Sequence, residues 1–309
     1  IDVKTAFLNA NLDVPIYVKL PERLENEQGQ SVAKLNKSLY GLKQAAHDWY
    51  QCSDDFIRSF DPRFAKNPSD TCLYTLFDQT ENLIVIILVY VDDYIAAHNS
   101  LDYFNRFCDS FHKVYEMTKL GRLSNYLQIK VCWTDEGVLL SQVQYIDQLA
   151  EMYNLDDCKP KCIPMAPRFH ITKAAIDSST IPYRNMLMSL MWVARNTRPD
   201  ILFAVTYLSQ FSNAYSDGHY AALRLILKYL VSTKKRCLRF DHPTMESKLQ
   251  IKAYTDSDWA GDPTDRKSYS GSMIFLDSSL IAWSCSKQKT VSTSSCEAEY
   301  MASSTAAKE

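Results

Sequence analysis

The run 83–91 is an unbroken block of nine apolar residues rich in Ile and Val. It is too short to cross a membrane, and its β-branched content predicts a strand buried on both faces. Residues 94–97 are apolar again, so Asp92 and Asp93 between them read as the tip of a tight hairpin. Upstream, Leu39, Leu42, Ala46, Trp49, Phe56 and Phe60 recur at near-helical spacing and predict a helix over 41–60. A strand over 71–77 and a turn over 78–82 lead into the apolar run. An amphipathic helix over 101–115 follows, with Tyr103, Phe104, Phe107 and Phe111 on its apolar side. A second hairpin is predicted from 126–133, a turn at 134–137 and 138–140. Ser141 and Gln144 have the spacing of a capping box for a helix over 143–153.

The pattern changes after 159–167, where Pro160, Pro164 and Pro167 mark a linker or domain edge. Helical spacing dominates over 182–196, 200–211 and 218–231, with Pro182 at a helix start and Asp200 as a cap or first-turn acid. Strands are predicted over 249–255, 270–276 and 280–284, and a final helix over 296–309. No internal repeat is visible.

Length and composition narrow the classes. A chain of 309 residues with 46% hydrophobic residues supports two or more domains with true cores. The 9 cysteines follow no regular framework, which predicts reduced thiols in an intracellular compartment. Cys158, Cys162 and His170 lack both a fourth ligand and regular spacing for zinc. The net charge of −2 and pI near 6.3 are unusual for a protein that grips phosphates, although a local cleft can still be positive. Lys234, Lys235 and Arg236 are a weak phosphate-contact candidate, and such a run is more often a solvated loop. The chain opens on Ile1 rather than Met, which is expected of a slice of something longer.

Chemistry concentrates at the hairpin tip. Two adjacent carboxylates on a buried strand repel each other unless a cation intervenes, and magnesium is the hard ion that carboxylate oxygens hold. An ordinary Asp-Asp turn has the same letters. Asp2, opening the stretch DVKTAFLN, supplies a third acid among apolar residues.

Asp2 with an aromatic five residues later, followed by YVDD at 90–93, resembles motifs A and C of reverse transcriptases. DVKTAFLN, SLYGLKQA, YVDD and TRPDILFAVTYLSQF together are similar to the Ty1/copia class of retrotransposon Pol polyproteins, from the first residue to the last. The resemblance implies RNA-directed DNA synthesis at a two-metal site. Asp2 and Asp92 would be the main ligands and Asp93 the third acid, holding two Mg2+ ions, with Mn2+ as a substitute. Phe7 matches the aromatic that blocks a ribose 2′-hydroxyl, or packs as core. Tyr40, Gly41, Lys43 and Gln44 resemble motif B, and Tyr90 joins them on the nucleotide and template side. Where the family continues with Pro and Arg, this chain has Ala46 and His47. Gln128 stands where the family carries Gly, and PYRNMLMSLMW lacks a Gly as well.

AYTDSDWAGD and STSSCEAEYMA resemble the start of a ribonuclease H domain, with Asp256 and Glu299 as metal ligands and Asp258 a weaker one. The family's remaining two acids lie beyond Glu309, so this half-site is not expected to cleave RNA. The implied fold is α+β. A palm over 1–157 has an antiparallel sheet with packed helices; a helical thumb or connection spans 158–247; a partial ribonuclease H-like α/β domain spans 248–309. Expected partners are an RNA template, a DNA primer, deoxynucleoside triphosphates and the rest of the Pol polyprotein, with no membrane. The expected place is intracellular, in a cytoplasmic virus-like particle or the nucleus. With the family's fingers preceding motif A, little or no activity is expected of the chain by itself. The alternative is a non-catalytic transposon remnant that binds nucleic acid or has a structural role.

Overall fold

The computed structural model describes residues 1–21, 31–155, 157–173, 181–242 and 249–309. The chain divides into two compact units, Ile1–Leu123 and Ser124–Glu309.

The first unit contains β1 (Asp2–Val3), α1 (Ala6–Asn9), β2 (Tyr17–Lys19), β3 (Val32–Lys34), α2 (Ala45–Phe60), β4 (Ala65–Lys66), β5 (Leu73–Asp78), β6 (Leu83–Tyr90), β7 (Asp93–His98), α3 (Leu101–Val114) and β8 (Met117–Thr118). Six strands form one antiparallel sheet in the order β4-β5-β6-β7-β1-β8. The core lies between this sheet and the two long helices. Trp49 and Ile57 of α2, and Tyr103, Phe107 and Phe111 of α3, meet Tyr74, Leu76, Val85, Ile87, Val89 and Tyr94 of the sheet. Phe56 stands edge-on to Phe107 and Phe111, with ring centroids 5.8 and 4.8 Å away, a favoured aromatic geometry. The Tyr103 hydroxyl donates to Asp61 at the end of α2 (2.8 Å), and hydrogen bonds from Arg63 hold that carboxyl down to about 2.

Two expectations change here. The strand at 83–90 is buried on one face only: Leu83, Val85, Ile87 and Val89 are buried, whereas Ile84 and Tyr90 are exposed. Both helices of the unit's core pack on the same side, so the apolar run has its second face largely open. Helix α2 begins at Ala45 rather than at 41, because Gly41 adopts φ +97° and breaks the helical path.

The second unit contains β9 (Asn125–Tyr126), β10 (Ile129–Thr134), β11 (Gly137–Ser141), α4 (Val143–Met152), α5 (Tyr183–Asn196), a 3-10 turn (Pro199–Ile201), α6 (Leu202–Ser209), α7 (Asp217–Ser232), β12 (Leu238–Asp241), β13 (Ile251–Ser257), β14 (Tyr269–Leu276), β15 (Ser279–Lys287) and α8 (Ser295–Ala306). One sheet runs β12-β11-β10-β9 and another β13-β14-β15. Leu190 and Val193 of α5, Val205 and Leu208 of α6 and Leu227 and Leu230 of α7 build the core, which also takes in Tyr269 of β14. The Trp283 indole of β15 packs on the same core and donates to the Ala194 carbonyl at 2.9 Å.

Compactness divides the chain at 123/124, upstream of the 157/158 boundary expected from sequence. The hairpin β10–β11 belongs with the second unit through its pairing to β12. The proline-bearing segment 159–167 is not a free linker, since Cys158 and Met165 pack on the helical core. The boundary expected at 247 falls among residues 243–248, outside the described residues. The capping box expected from Ser141 and Gln144 does not form. Gln142 is the N-cap residue, makes no cap bond, and instead accepts a hydrogen bond from the Thr197 hydroxyl at 2.8 Å.

Leu127 and Gln128 join β9 to β10 as a two-residue loop with φ +47° and +65°. Two successive left-handed residues make the mirror-image turn that suits the twist of a hairpin and favours Gly. Gln128→Gly is thus expected to stabilise the chain by about 1 kcal/mol, the scale of a left-handed non-glycine residue. Urea unfolding measures it, and a loss of stability contradicts the argument.

Candidate active site

The carboxylates at the start of the chain and at the hairpin are brought together by strand pairing. Asp2 of β1 lies directly opposite Asp93 of β7, and Tyr90 of β6 lies opposite Asp93 on the other side. Because side chains alternate along a strand, Asp2, Asp93 and Tyr90 share one sheet face with Ile84, Ile86 and Leu88. That is the face the helices leave open. Asp92 is fixed between them by the Val3 amide, which donates to its carbonyl at 2.8 Å, while the Tyr94 amide donates to the Ile1 carbonyl at 2.9 Å.

The hairpin tip is shifted by one residue from its expected place. Val91 and Asp92 form the two-residue loop, and Asp93 is already the first residue of β7. Val91 takes φ +55°, an uncommon conformation for a β-branched residue. Its carbonyl accepts a 2.6 Å hydrogen bond from the Trp49 indole, and Trp49 is buried in α2 with its ring edge-on to Tyr115 at 5.1 Å.

Asp93 responds to this crowding. Burial, then the neighbouring charges of Asp92 and Asp2, raise its carboxyl above the ordinary carboxylate range. A carboxyl raised in this way carries negative charge that its neighbours do not fully offset, so the donor set suits a hard divalent cation. Among the described residues, however, no three His, Cys, Asp or Glu side chains converge as a preformed metal cage.

The residues expected on the nucleotide side fall beside one another. Phe7, half-buried on α1, lies 4.5 Å from the Tyr40 ring, centroid to centroid. Tyr40 and Gly41 are exposed in the turn before α2, Lys43 is exposed, and Gln44 is the N-cap residue of that helix. A Cβ at Gly41 would meet nothing within 4 Å, so it is the φ of +97° that calls for glycine there.

A model of the reverse transcriptase (RNA-dependent DNA polymerase) family matches residues 1–167. The chain belongs to that family. Its likeness to Pol polyproteins extends further than the family model: it is 36% identical, over all of its length, to the Pol polyprotein of the tobacco transposon TNT 1-94. It is 35% identical over 97% of its length to that of the Arabidopsis thaliana transposon RE1. A transposon Ty5-1 protein of Saccharomyces cerevisiae is 30% identical over 98% of both chains. This reverse transcriptase chain spans 24% and 20% of the length of the tobacco and Arabidopsis polyproteins. These relatives place it with the Ty1/copia-type retrotransposon Pol polyproteins.

The second group of acids lies in the other compact unit of this reverse transcriptase chain. Asp256 is on β13 and Glu299 on α8, and the Glu299 carboxylate accepts from the Ser257 amide at 3.4 Å. The structure thus sets Glu299 against the strand that carries Asp256, and among the described residues no third acid converges on them. Asp258 is occupied otherwise: its carboxylate accepts from the Tyr269 amide at 2.5 Å. Burial is the main influence raising its carboxyl, followed by that amide acting in the opposite sense and by Asp256 and Asp262 raising it. A Cβ at position 261 would lie 1.8 Å from the Asp258 carboxylate, so Gly261 makes room for it. Among the described residues no helix is long and apolar enough to cross a membrane.

Trp49 escaped the sequence reading as a site residue. Its place in the apolar stripe of α2 predicts core packing, and nothing in that spacing signals an indole N–H aimed at a turn.

Proposed function

We propose that the chain carries the nucleotidyl-transfer site of an RNA-directed DNA polymerase, with the first unit as the centre of its palm. The observation that carries the reading is the pairing of Asp2 with Asp93 on the open sheet face, beside the turn that holds Asp92. In this reading Asp2 and Asp92 are the main holders of two divalent ions, Mg2+ or Mn2+, and Asp93 balances their charge. When bound, the ions would neutralise phosphate charge and make the primer hydroxyl more acidic.

The chain's own groups do the rest. The Phe7 ring, backed by Tyr40, forms a wall against a ribose 2′-hydroxyl and so favours deoxynucleotides. Gly41 lets the template and incoming nucleotide approach the backbone. Lys43 and Gln44 offer donors to the nucleotide, and Tyr90 flanks the carboxylates. The open apolar face receives the RNA template and DNA primer. Helices α5 to α7 act as thumb or connection, and β13 to β15 with α8 act as part of a ribonuclease H-like domain bearing Asp256 and Glu299.

The test is primer extension on an RNA template with magnesium. A net charge of −2 gives little phosphate attraction, so extension by the chain alone is expected to be slow and visible only at low salt. Asp92→Asn is expected to reduce it at least about 100-fold, the scale of losing one group that stabilises transition-state charge. Asp256→Asn is expected to leave it unchanged. Extension that survives Asp92→Asn contradicts the reading. A second reading, nucleic-acid binding without catalysis, draws support from the lack of a preformed cage among the described residues. RNA–DNA binding unaffected by Asp92→Asn, with no extension under any condition, would favour it.

A further inference from the structure

We propose that Trp49 is a positioning residue for the carboxylate site, holding the Val91 turn in the conformation that presents Asp92 and Asp93. The inference rests on the polymerase reading for what the turn does, but not for how the turn is held.

Four observations carry it. Val91 sits at φ +55°, where a β-branched side chain crowds its own backbone, so an isolated Val-Asp loop would relax to negative φ. Such conformations persist only where surrounding structure fixes them. The Trp49 indole N–H reaches the Val91 carbonyl at 2.6 Å from a residue that is only 2% exposed, so the donor is committed to a half-buried turn. The turn is held from the other side by the Val3 amide on the Asp92 carbonyl. Trp49 is itself confined: its ring meets Tyr115 edge-on at 81° and belongs to the buried core. The indole is thus a rigid post, and the turn is the part that would yield.

Position along α2 adds a consequence. Gln44 is the N-cap residue and Tyr40 and Gly41 precede it, so Trp49 lies little more than one turn inside the helix whose mouth holds the proposed nucleotide contacts. One rigid element would therefore fix both the nucleotide side and the carboxylate turn.

The test replaces Trp49 with benzothienylalanine, which keeps the bicyclic shape and loses the N–H, alongside Trp49→Phe. Two readouts are taken: the 13C shifts of Val91, which report its backbone conformation, and Mn2+ affinity. The expected result is that Val91 leaves the left-handed range in the isostere. Mn2+ affinity is expected to fall about 10-fold or more, the scale for residues that orient metal ligands from outside. Adding Val91→Gly, which tolerates the left-handed turn without the post, is expected to restore much of that affinity. Unchanged Val91 shifts overturn the proposal, and so does a relaxed Val91 with undiminished Mn2+ affinity. If Asp92→Asn leaves Mn2+ binding intact, the polymerase reading of the carboxylates fails separately, and the Val91 shifts still decide whether Trp49 holds the turn.

Discussion

Arg198→Ala is expected to destabilise the second unit by about 1.5–3 kcal/mol, the range for hydrogen bonds made by a charged group. Arg198 is 2% exposed and grips Asp200 with two hydrogen bonds, Nε to Oδ1 at 2.9 Å and Nη2 to Oδ2 at 2.8 Å. Its other donors reach the Thr233 carbonyl and hydroxyl at the end of α7, at 3.1 and 2.6 Å. The Tyr229 hydroxyl completes the arrangement, donating to Asp200 at 2.6 Å. The fork therefore ties the start of α6 to the end of α7; truncation removes that tie and leaves the half-exposed Asp200 carboxylate to Tyr229 and to Arg236, whose Nη1 lies 3.3 Å away. Arg198→Lys is not expected to rescue, because an ammonium cannot reproduce the two-pronged geometry. The pH dependence follows from Asp200. Burial opposes its ionisation, but hydrogen bonds from Arg198 and Tyr229 prevail and hold the carboxyl below the usual range. Its stabilisation is thus present above about pH 4, the unfolded value, and is lost as pH falls through the lower folded value. Chemical denaturation at pH 7 and again in strong acid should show the gap between wild type and variant closing. An equal gap at both would contradict this account.

Asp93→Asn is expected to do two opposite things. In chelator at pH 7 it should stabilise the chain, by about 0.5 kcal/mol for a charge interaction partly screened by solvent. The sign comes from the raised carboxyl of Asp93, which burial and the charges of Asp92 and Asp2 produce. A carboxyl raised in the folded state binds its proton more tightly there than in the unfolded chain. Stability is therefore lost as pH climbs from the ordinary Asp value to the folded one, and the deficit remains at neutral pH. The same substitution should remove most of the thermal stabilisation that magnesium gives the wild type. A saturating ligand contributes about 1.4 kcal/mol at ten times its dissociation constant, so the effect is measurable. A destabilised Asp93→Asn chain in chelator would show that the crowding is structural rather than a site awaiting a cation.

Much of this was legible in the letters, for reasons that differ from residue to residue. The strand at 83–90 and its return at 93–98 stand out because β-branched runs broken by two acids have few other solutions. What an apolar run cannot report is whether both faces are covered, and here the helices of the unit's core take only one. Strand β12, residues Leu238–Asp241, was missed: Leu-Arg-Phe-Asp alternates, but four residues are too few to stand out from a loop, and their partner β11 lies about a hundred residues upstream. The start of α2 was misplaced because spacing continues smoothly through Gly41, while the backbone does not. The prolines of 159–167 suggested a boundary, yet a segment with Cys158 and Met165 on one side can lie along a core as readily as between two. Asp2 and Asp93 were placed in one site by motif resemblance, and strand register supplied the physical reason for their meeting. Gln128 is the opposite case: its departure from the expected glycine was visible in sequence, and its φ of +65° shows what that glycine would relieve.

The most direct measurement is electron paramagnetic resonance of Mn2+ titrated into the wild type, Asp2→Asn, Asp92→Asn and Asp256→Asn. Bound Mn2+ in the wild type that is lost in Asp2→Asn and Asp92→Asn, and keeps its remaining component in Asp256→Asn, is the predicted result. Because no cage is preformed among the described residues, the affinity should be modest, about 1 mM or somewhat tighter. Binding that is indifferent to Asp2 and Asp92 would contradict the assignment of the open sheet face as the metal-holding site.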